Sequence, residues 1–205
     1  MSVKEIRKII LITGTPGVGK TTVSQKVSVI LDARYINVTE YIKREKIETN
    51  IDCYRETLIV DPEKVLKQIQ EKLEKTDDTI IIEGHYAVDV VPNNEVLLVF
   101  VLRRDPRELK EVLEKRGYKD KKLWENIAAE ILDVCLGDAL SVITPSKICE
   151  IDVSGKTVDS VVEEVIFMIN KKENCNYGTV NWLEKLETEG QLEKYLKKIR
   201  LAEQT

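Results

Sequence analysis

Residues 9–22 read IILITGTPGVGKTT: a run of branched apolar residues, a turn with three glycines, then a lysine and two threonines. The apolar run lacks the polar alternation of a half-exposed strand and predicts a strand buried on both faces. The glycines let the backbone curl so that successive N–H groups point inward. Lys20 then opens a helix, whose unpaired first-turn amides and positive dipole end attract an anion. From Gly14 to Thr21 the string fits G-x-x-x-x-G-K-[ST], with a strand before it and a helix after it. The pattern implies a bound nucleoside triphosphate, Lys20 acting as a point charge on its β and γ phosphates and Thr21 offering its hydroxyl to Mg²⁺.

The same grammar continues down the chain. Segments 8–13, 34–38, 79–83, 96–103 and 147–153 read as five short buried strands, and helical patterns lie between them. One helix runs over 20–31. Others begin at Asp61-Pro62 and Asp105-Pro106, where an N-cap precedes a proline suited to the first helical position. Glu108 is placed to close a capping box at the second. Strands alternating with helices predict an α/β fold with a five-stranded parallel sheet covered on both faces. At 205 residues the chain fits one domain with embellishments. Beyond about residue 171, Trp182, Leu183, Leu186, Leu192, Tyr195, Leu196 and Ile199 recur at roughly helical spacing. They predict amphipathic helices, either packed on the main domain or held out as a partner-binding arm.

Composition removes several classes. With 32 basic against 36 acidic residues the net charge is −4, which argues against a nucleic-acid coat. No sequence-specific DNA binding is expected. No apolar run approaches the ~20 residues of a membrane span, and the charged residues 1–8 do not form a signal peptide, so no membrane association and a cytoplasmic setting are expected. Cys53, Cys135, Cys149 and Cys175 show no C-x-x-C spacing and only one histidine exists, which argues against zinc and for reduced thiols.

Magnesium also needs an acid at the end of a neighbouring strand, and Glu83 closes the stretch 79–83. His85 would sit just above it, placed to orient a water or sense the γ-phosphate. A guanine-specific protein would need N-K-x-D. Asn170-Lys171-Lys172-Glu173 ends in the wrong acid, Asp152–Gly155 lies too far along the chain for D-x-x-G, and Gly155-Lys156-Thr157 lacks the upstream glycine. A kinase instead needs an acceptor site and cations that neutralise the migrating phosphoryl group. Lys43, Arg44 and Arg103 are candidates, with Arg104 and Arg107 read as solvated charges. Arg116, in the basic loop 116–122, is suited to closing over a triphosphate.

Together, GTPGVGKTT, YINV at 35–38, the strand-end acid and histidine, FVLR at 100–103 and RGYKDKKLWENI at 116–127 resemble the atypical adenylate kinases, the nuclear enzyme of eukaryotes and its archaeal relatives. The resemblance covers about residues 5–170. It implies a P-loop nucleoside-monophosphate-kinase fold over 1–172, an NMP-binding insertion at about 37–60, a short zinc-free lid at about 115–125 and a helical extension over 173–205. ATP would be held by Gly14, Gly17, Gly19, Lys20, Thr21 and Thr22 with Arg116, and Lys156 would lie near the adenine. Lys43 or Arg44 would hold the acceptor phosphate of AMP or another NMP. The family pairs broad NMP kinase activity with ATPase activity, the lid arginine and strand-end histidine serving catalysis. It also binds small-subunit ribosomal protein eleven transiently and supports late maturation of the pre-ribosomal small subunit. Two departures stand out. Glu83-Gly84-His85 replaces the usual Asp-x-His, and the longer side chain points to metal contact through water. The acceptor-site arginine falls on either Lys43 or Arg44. Three readings follow: a dual kinase and ATPase of ribosome assembly, a dedicated small-molecule kinase without a ribosomal role, and a partner-regulated ATP switch with vestigial kinase activity.

Overall fold

The computed structural model describes residues 8–52, 57–73, 78–171 and 175–204. Cys53, residues 1–7 and the pair Lys172-Glu173 therefore lie outside the described residues. The first half contains β1 (Ile9–Thr13), α1 (Lys20–Ile30), β2 (Arg34–Asn37), α2 (Val38–Glu45), β3 (Glu48–Asp52), β4 (Thr57–Val60), α3 (Pro62–Leu73) and β5 (Ile80–Glu83). After these come β6 (Val96–Arg103), α4 (Pro106–Lys115), α5 (Asp120–Ile131), α6 (Val134–Val142), β7 (Ile148–Asp152) and α7 (Val158–Lys171). Helices α8 (Trp182–Thr188) and α9 (Leu192–Glu203) form the tail.

The five strands read from the sequence make one sheet in the order β2-β5-β1-β6-β7, parallel throughout. Strand β1 is buried along its whole length, because helices cover both faces. Ile9 and Leu11 point into one layer with Val65 and Ile69 of α3 and Leu136 and Ala139 of α6. Ile10 and Ile12 point into the other, against Val23 and Val27 of α1, Leu109 and Leu113 of α4, and Val162 and Val165 of α7. Register then fixes the functional rim. Glu83 pairs with Ile12 of β1 and with Asn37 of β2, so all three reach the sheet's carboxyl end together. The antiparallel pair β3–β4 sits apart from this sheet and was not foreseen, since nothing in its short stretches distinguishes a two-stranded hairpin from a loop. No helix among the described residues is long and apolar enough to cross a membrane.

Three expectations need correcting. Asp105 does cap α4, accepting the Arg107 N–H at 2.9 Å, but Glu108 closes no capping box. The Asp105 N–H donates instead to Ser154 Oγ at 2.7 Å, and Glu108 accepts from Gly155 N–H, because the turn after β7 lies over this helix start. The thiols are not all reduced: Cys149 in β7 and Cys175 form a disulfide. The Glu150 N–H donates to Asn176 O at 2.8 Å, which lays the segment after α7 alongside β7 and brings the two sulfurs together. Finally, Arg103 is no phosphoryl-stabilising cation. It is 1% exposed and its guanidinium is consumed by Glu130, Asp133 and Glu150.

The tail packs on the main domain. Leu186 and Tyr195 enter the core layer beneath α4 and α5, with the Tyr195 ring 5.9 Å from that of Trp124. Ion pairs from Lys185 to Asp105 (2.9 Å) and from Arg107 to Glu189 (2.7 Å) rim the contact.

Candidate active site

The loop between β1 and α1 owes its shape to its glycines. Gly14 has φ 137° and a Cβ there would meet the Leu102 carbonyl oxygen at 2.4 Å, so only glycine fits against β6. Gly17, at φ 96°, leans on α4: a Cβ would lie 2.9 Å from Leu109 Cδ1 and 3.0 Å from Leu113 Cδ2. Helix α1 starts after Gly19 with no side-chain cap, which leaves its first amides for a ligand. Lys20 Nζ donates to the carbonyls of Gly14 (2.8 Å) and Thr15 (3.1 Å), folding its ammonium over the loop. Burial lowers the lysine's proton affinity, while the Glu83 and Glu130 charges act in the opposite direction and Arg116 reinforces the lowering.

Glu83 gathers the other side of the rim. It is 2% exposed, and its Oε1 accepts from Thr21 Oγ1 at 2.9 Å, Tyr35 OH at 3.0 Å and Asn37 Nδ2. Burial and the Glu83 charge push the Tyr35 phenol above its ordinary range. The Asn37 side chain also caps α2, accepting the Glu40 N–H at 2.9 Å. Thus one residue ties the start of α2 to the acid. The sequence reading used Tyr35 and Asn37 only as part of a resemblance. Their task depends on β2 lying beside β5, which no local signal reveals.

His85 follows directly. Its carbonyl accepts from Thr13 Oγ1 at 3.3 Å, and its Nδ1 lies 3.3 Å from Cys135 Sγ on α6. Burial first, and the Lys20 charge second, lower its pKa from the ordinary imidazole value, which favours the neutral ring. Burial pushes the Cys135 thiol up to about 11, so it stays a protonated partner for the imidazole. Cys135 was invisible as a site residue in the sequence, being fifty positions away.

The remaining candidates divide. Arg116 ends α4 exposed, in the turn before α5; its charge reaches Lys20, and no ion pair among the described residues holds it. Lys43 is likewise exposed on α2 without an ion pair among the described residues. Arg44 beside it is engaged, bonded to Glu45 at 3.2 Å and stacked 5.5 Å from the Tyr41 ring centre. Lys156, expected near the adenine, donates to Glu164 of α7 at 2.7 Å. Arg107 is spent on Asp105 and Glu189. Arg104 departs from the solvated reading: it is half-buried, and its Nε has no hydrogen-bond partner. No cluster of three or more His, Cys, Asp or Glu suited to a metal occurs among the described residues.

The chain is similar to known proteins in sequence and in fold. A family profile described as an AAA domain matches residues 10–133. A protein of Methanocaldococcus jannaschii named "Putative adenylate kinase" is 43% identical over 176 residues, covering 86% of this chain and 93% of that one. A Methanococcus maripaludis protein of the same name is 38% identical over 86% of this chain and 96% of its own. Among solved structures, a shikimate kinase from Bacteroides thetaiotaomicron has a TM-score of 0.53 at 18% identity, covering 80% of this chain and 98% of that one. A gluconokinase from Sinorhizobium meliloti has a TM-score of 0.50 at 13% identity, over 82% and 94%. These last two share the fold of P-loop kinases and nothing finer. Identity sustained along nearly the whole length of the archaeal relatives settles membership: the chain belongs to their adenylate-kinase-like family of P-loop proteins.

Proposed function

We propose that this protein is a broad-specificity nucleoside monophosphate kinase, turning ATP and AMP into two ADP, with ATPase activity when no acceptor is bound. One observation carries the reading. A phosphate loop and the Thr21–Glu83 pair at 2.9 Å share one rim of the sheet, with the Arg116 charge acting on Lys20 from the end of α4. The amides of Gly17, Gly19, Lys20, Thr21 and Thr22 hold the phosphates of ATP, and Lys20 leaves its two carbonyls to follow the transferred group. Arg116 adds charge from the lid at about 115–125. Lys43, on the insertion at about 37–60, is better placed than the engaged Arg44 to receive the acceptor phosphate. In the transfer, the bond from the γ-phosphorus to the β-bridging oxygen breaks as a bond to an AMP phosphate oxygen forms. Without AMP, a water oriented by neutral His85 attacks instead.

The hydroxyl of Thr21 and the carboxylate of Glu83 are hard oxygen donors side by side, a set that fits Mg²⁺. These two residues would hold the ion, which neutralises phosphate charge when bound. The reading extends to a cytoplasmic role in late maturation of the small ribosomal subunit, through transient binding of small-subunit ribosomal protein eleven. Support for that extension is the family resemblance. A protein with net charge −4 would be recruited there by a basic protein rather than by RNA.

Product analysis tests the enzyme: ATP is incubated alone, with AMP, and with that ribosomal protein. ADP formed as AMP disappears marks the kinase, and ADP from ATP alone marks the ATPase. Persistence of the added AMP in the second incubation would remove the kinase assignment. A pull-down of the ribosomal protein with and without ATP tests the partner, and equal absence in both removes it.

A further inference from the structure

Beneath the phosphate loop lies a polar network that the mechanism above does not use. Its centre is Glu130 on α5, 1% exposed, whose carboxylate collects donors from three separate parts of the chain. Oε2 accepts from Thr15 Oγ1 of the phosphate loop at 2.6 Å. Oε1 accepts from Arg103 Nε at 2.9 Å, from the Arg104 N–H at 3.0 Å, and from the indole N–H of Trp182 at 2.9 Å. Four donors match the acceptor capacity of one carboxylate, and a charge this deep is tolerated only when so satisfied. The fourth comes from the C-terminal extension, well outside the sheet.

Two features tie this carboxylate to the nucleotide site. Thr15 is gripped at both ends: its side chain donates to Glu130, and its carbonyl accepts from Lys20 at 3.1 Å. The position of Thr15 therefore sets where Lys20 rests. Trp182 is itself held firmly, 3% exposed, by the segment leading into α8. Glu150 accepts there from Thr179 N–H at 2.8 Å, Thr179 Oγ1 at 3.2 Å and Val180 N–H at 3.2 Å. Arg103 then bridges Glu150 at 2.6 Å to Glu130, so the extension and the phosphate loop are satisfied by one ion cluster.

We propose that Glu130 is a positioning residue for the phosphate loop and that the extension, through Trp182, completes it, so that docking of the extension sets the affinity for ATP. The inference rests on the triphosphate-binding reading of that loop. It deepens it by making residues beyond 175 part of the nucleotide cradle. Coupling of this kind is reciprocal: if the extension tightens ATP binding, ATP must tighten the extension.

The test is a double-mutant cycle in the full-length chain, read as ATP affinity by calorimetry alongside melting temperature. Trp182→Phe keeps an aromatic ring and removes the N–H, while Thr15→Val keeps the shape and removes the hydroxyl. Loss of a hydrogen bond to a charged acceptor should weaken ATP binding about tenfold in Thr15→Val, and the more remote Trp182→Phe about threefold. In the Thr15→Val background the Trp182 change should cost nothing more, since the loop has already been cut from the carboxylate. Folded variants with unchanged ATP affinity would overturn the proposal, and so would a Trp182 cost of equal size in both backgrounds. Glu130→Gln should reproduce the tenfold loss if it folds; the cycle stands without it. A second readout uses the two tryptophans of the chain, whose indole protons give two resonances. The resonance missing in Trp182→Phe should shift and exchange more slowly on adding ATP to the wild type, and a resonance indifferent to saturating ATP counts against the coupling. Wild-type protein that binds no ATP at all would instead overturn the phosphate-site reading.

Discussion

Lys20 lies where the charges of the rim act together. It is folded over two loop carbonyls, and Glu83 and Glu130 oppose the burial that lowers its proton affinity. Lys20→Ala should therefore abolish both AMP phosphorylation and ATP hydrolysis, each falling at least about a hundredfold, the usual cost of losing one well-placed charge stabiliser. Retained turnover in a steady-state assay would displace Lys20 from the reaction. His85 has a narrower expected role. His85→Ala should lower ATP hydrolysis more than AMP phosphorylation, because only water needs orienting; equal losses would remove it from that task. At this scale the sequence was informative where chemistry travels in one short string. Gly14, Gly19, Lys20 and Thr21 fall in one loop because they are neighbours in the string, and the rim position of Glu83 was legible because a strand ended on an acid. Arg103 misled: its place at a strand end resembles a catalytic position, yet Glu130 and Glu150, 27 and 47 residues away, fold over it. Cys135 and Asn37 were silent for the converse reason, their roles arising from which strands and helices become neighbours.

Among the elements, α4 shows how a local signal is redirected by tertiary structure. Asp105 caps it as the Asp-Pro pair foretold, but the same carboxylate also receives Lys185 of α8, at 2.9 Å, and the Arg107 guanidinium. Burial alone would raise its pKa, but the hydrogen bonds from Arg107 and Lys185 prevail and hold the group well below the ordinary carboxylate range. A depressed carboxylate pKa stabilises the fold above its unfolded-state value and loses that contribution as pH falls through the folded-state value. Stability should thus decline below about pH 4 in the wild type, and Asp105→Asn should flatten that decline while lowering stability at pH 7; parallel unfolding curves from pH 2 to 7 would refute this. Asp105→Ala should cost about 1–2 kcal/mol through the lost cap alone. The disulfide from β7 to the start of the extension belongs to the same scale. Closing a span of 26 residues, its removal in Cys175→Ser should lower stability by about 3 kcal/mol, measured by denaturant titration under non-reducing conditions. Equal stability with and without the bond would show that the cross-link is not formed in solution. The five strands were legible because buried parallel strands are written as plain apolar runs. The two-stranded β3–β4 pair was not, because it is short and separate from that sheet.

At the level of the whole molecule, the extension is continuous with the catalytic fold. Leu186 and Tyr195 share a core layer with Val23 of α1 and Leu109 of α4, and both tryptophans lie where the extension meets α5. Unfolding should accordingly be a single transition, with tryptophan fluorescence and far-ultraviolet circular dichroism giving coincident midpoints. An early fluorescence transition would mean that the extension melts as a separate unit. Packing of the last helices on the domain was one of two outcomes the periodicity allowed. Amphipathic spacing states that a face must be covered, and the identity of the cover depends on residues such as Trp124 and Asp105 that carry no mark of it.

The contact between Gly17 and α4 has a mechanical implication. The crest of the loop rests on Leu109 and Leu113 with no room for a single methyl group, and the helix they belong to leads straight to Arg116. A larger side chain at the crest would therefore press on the same rod whose far tip bears the guanidinium. Cradle and guanidinium are thus mounted on one beam.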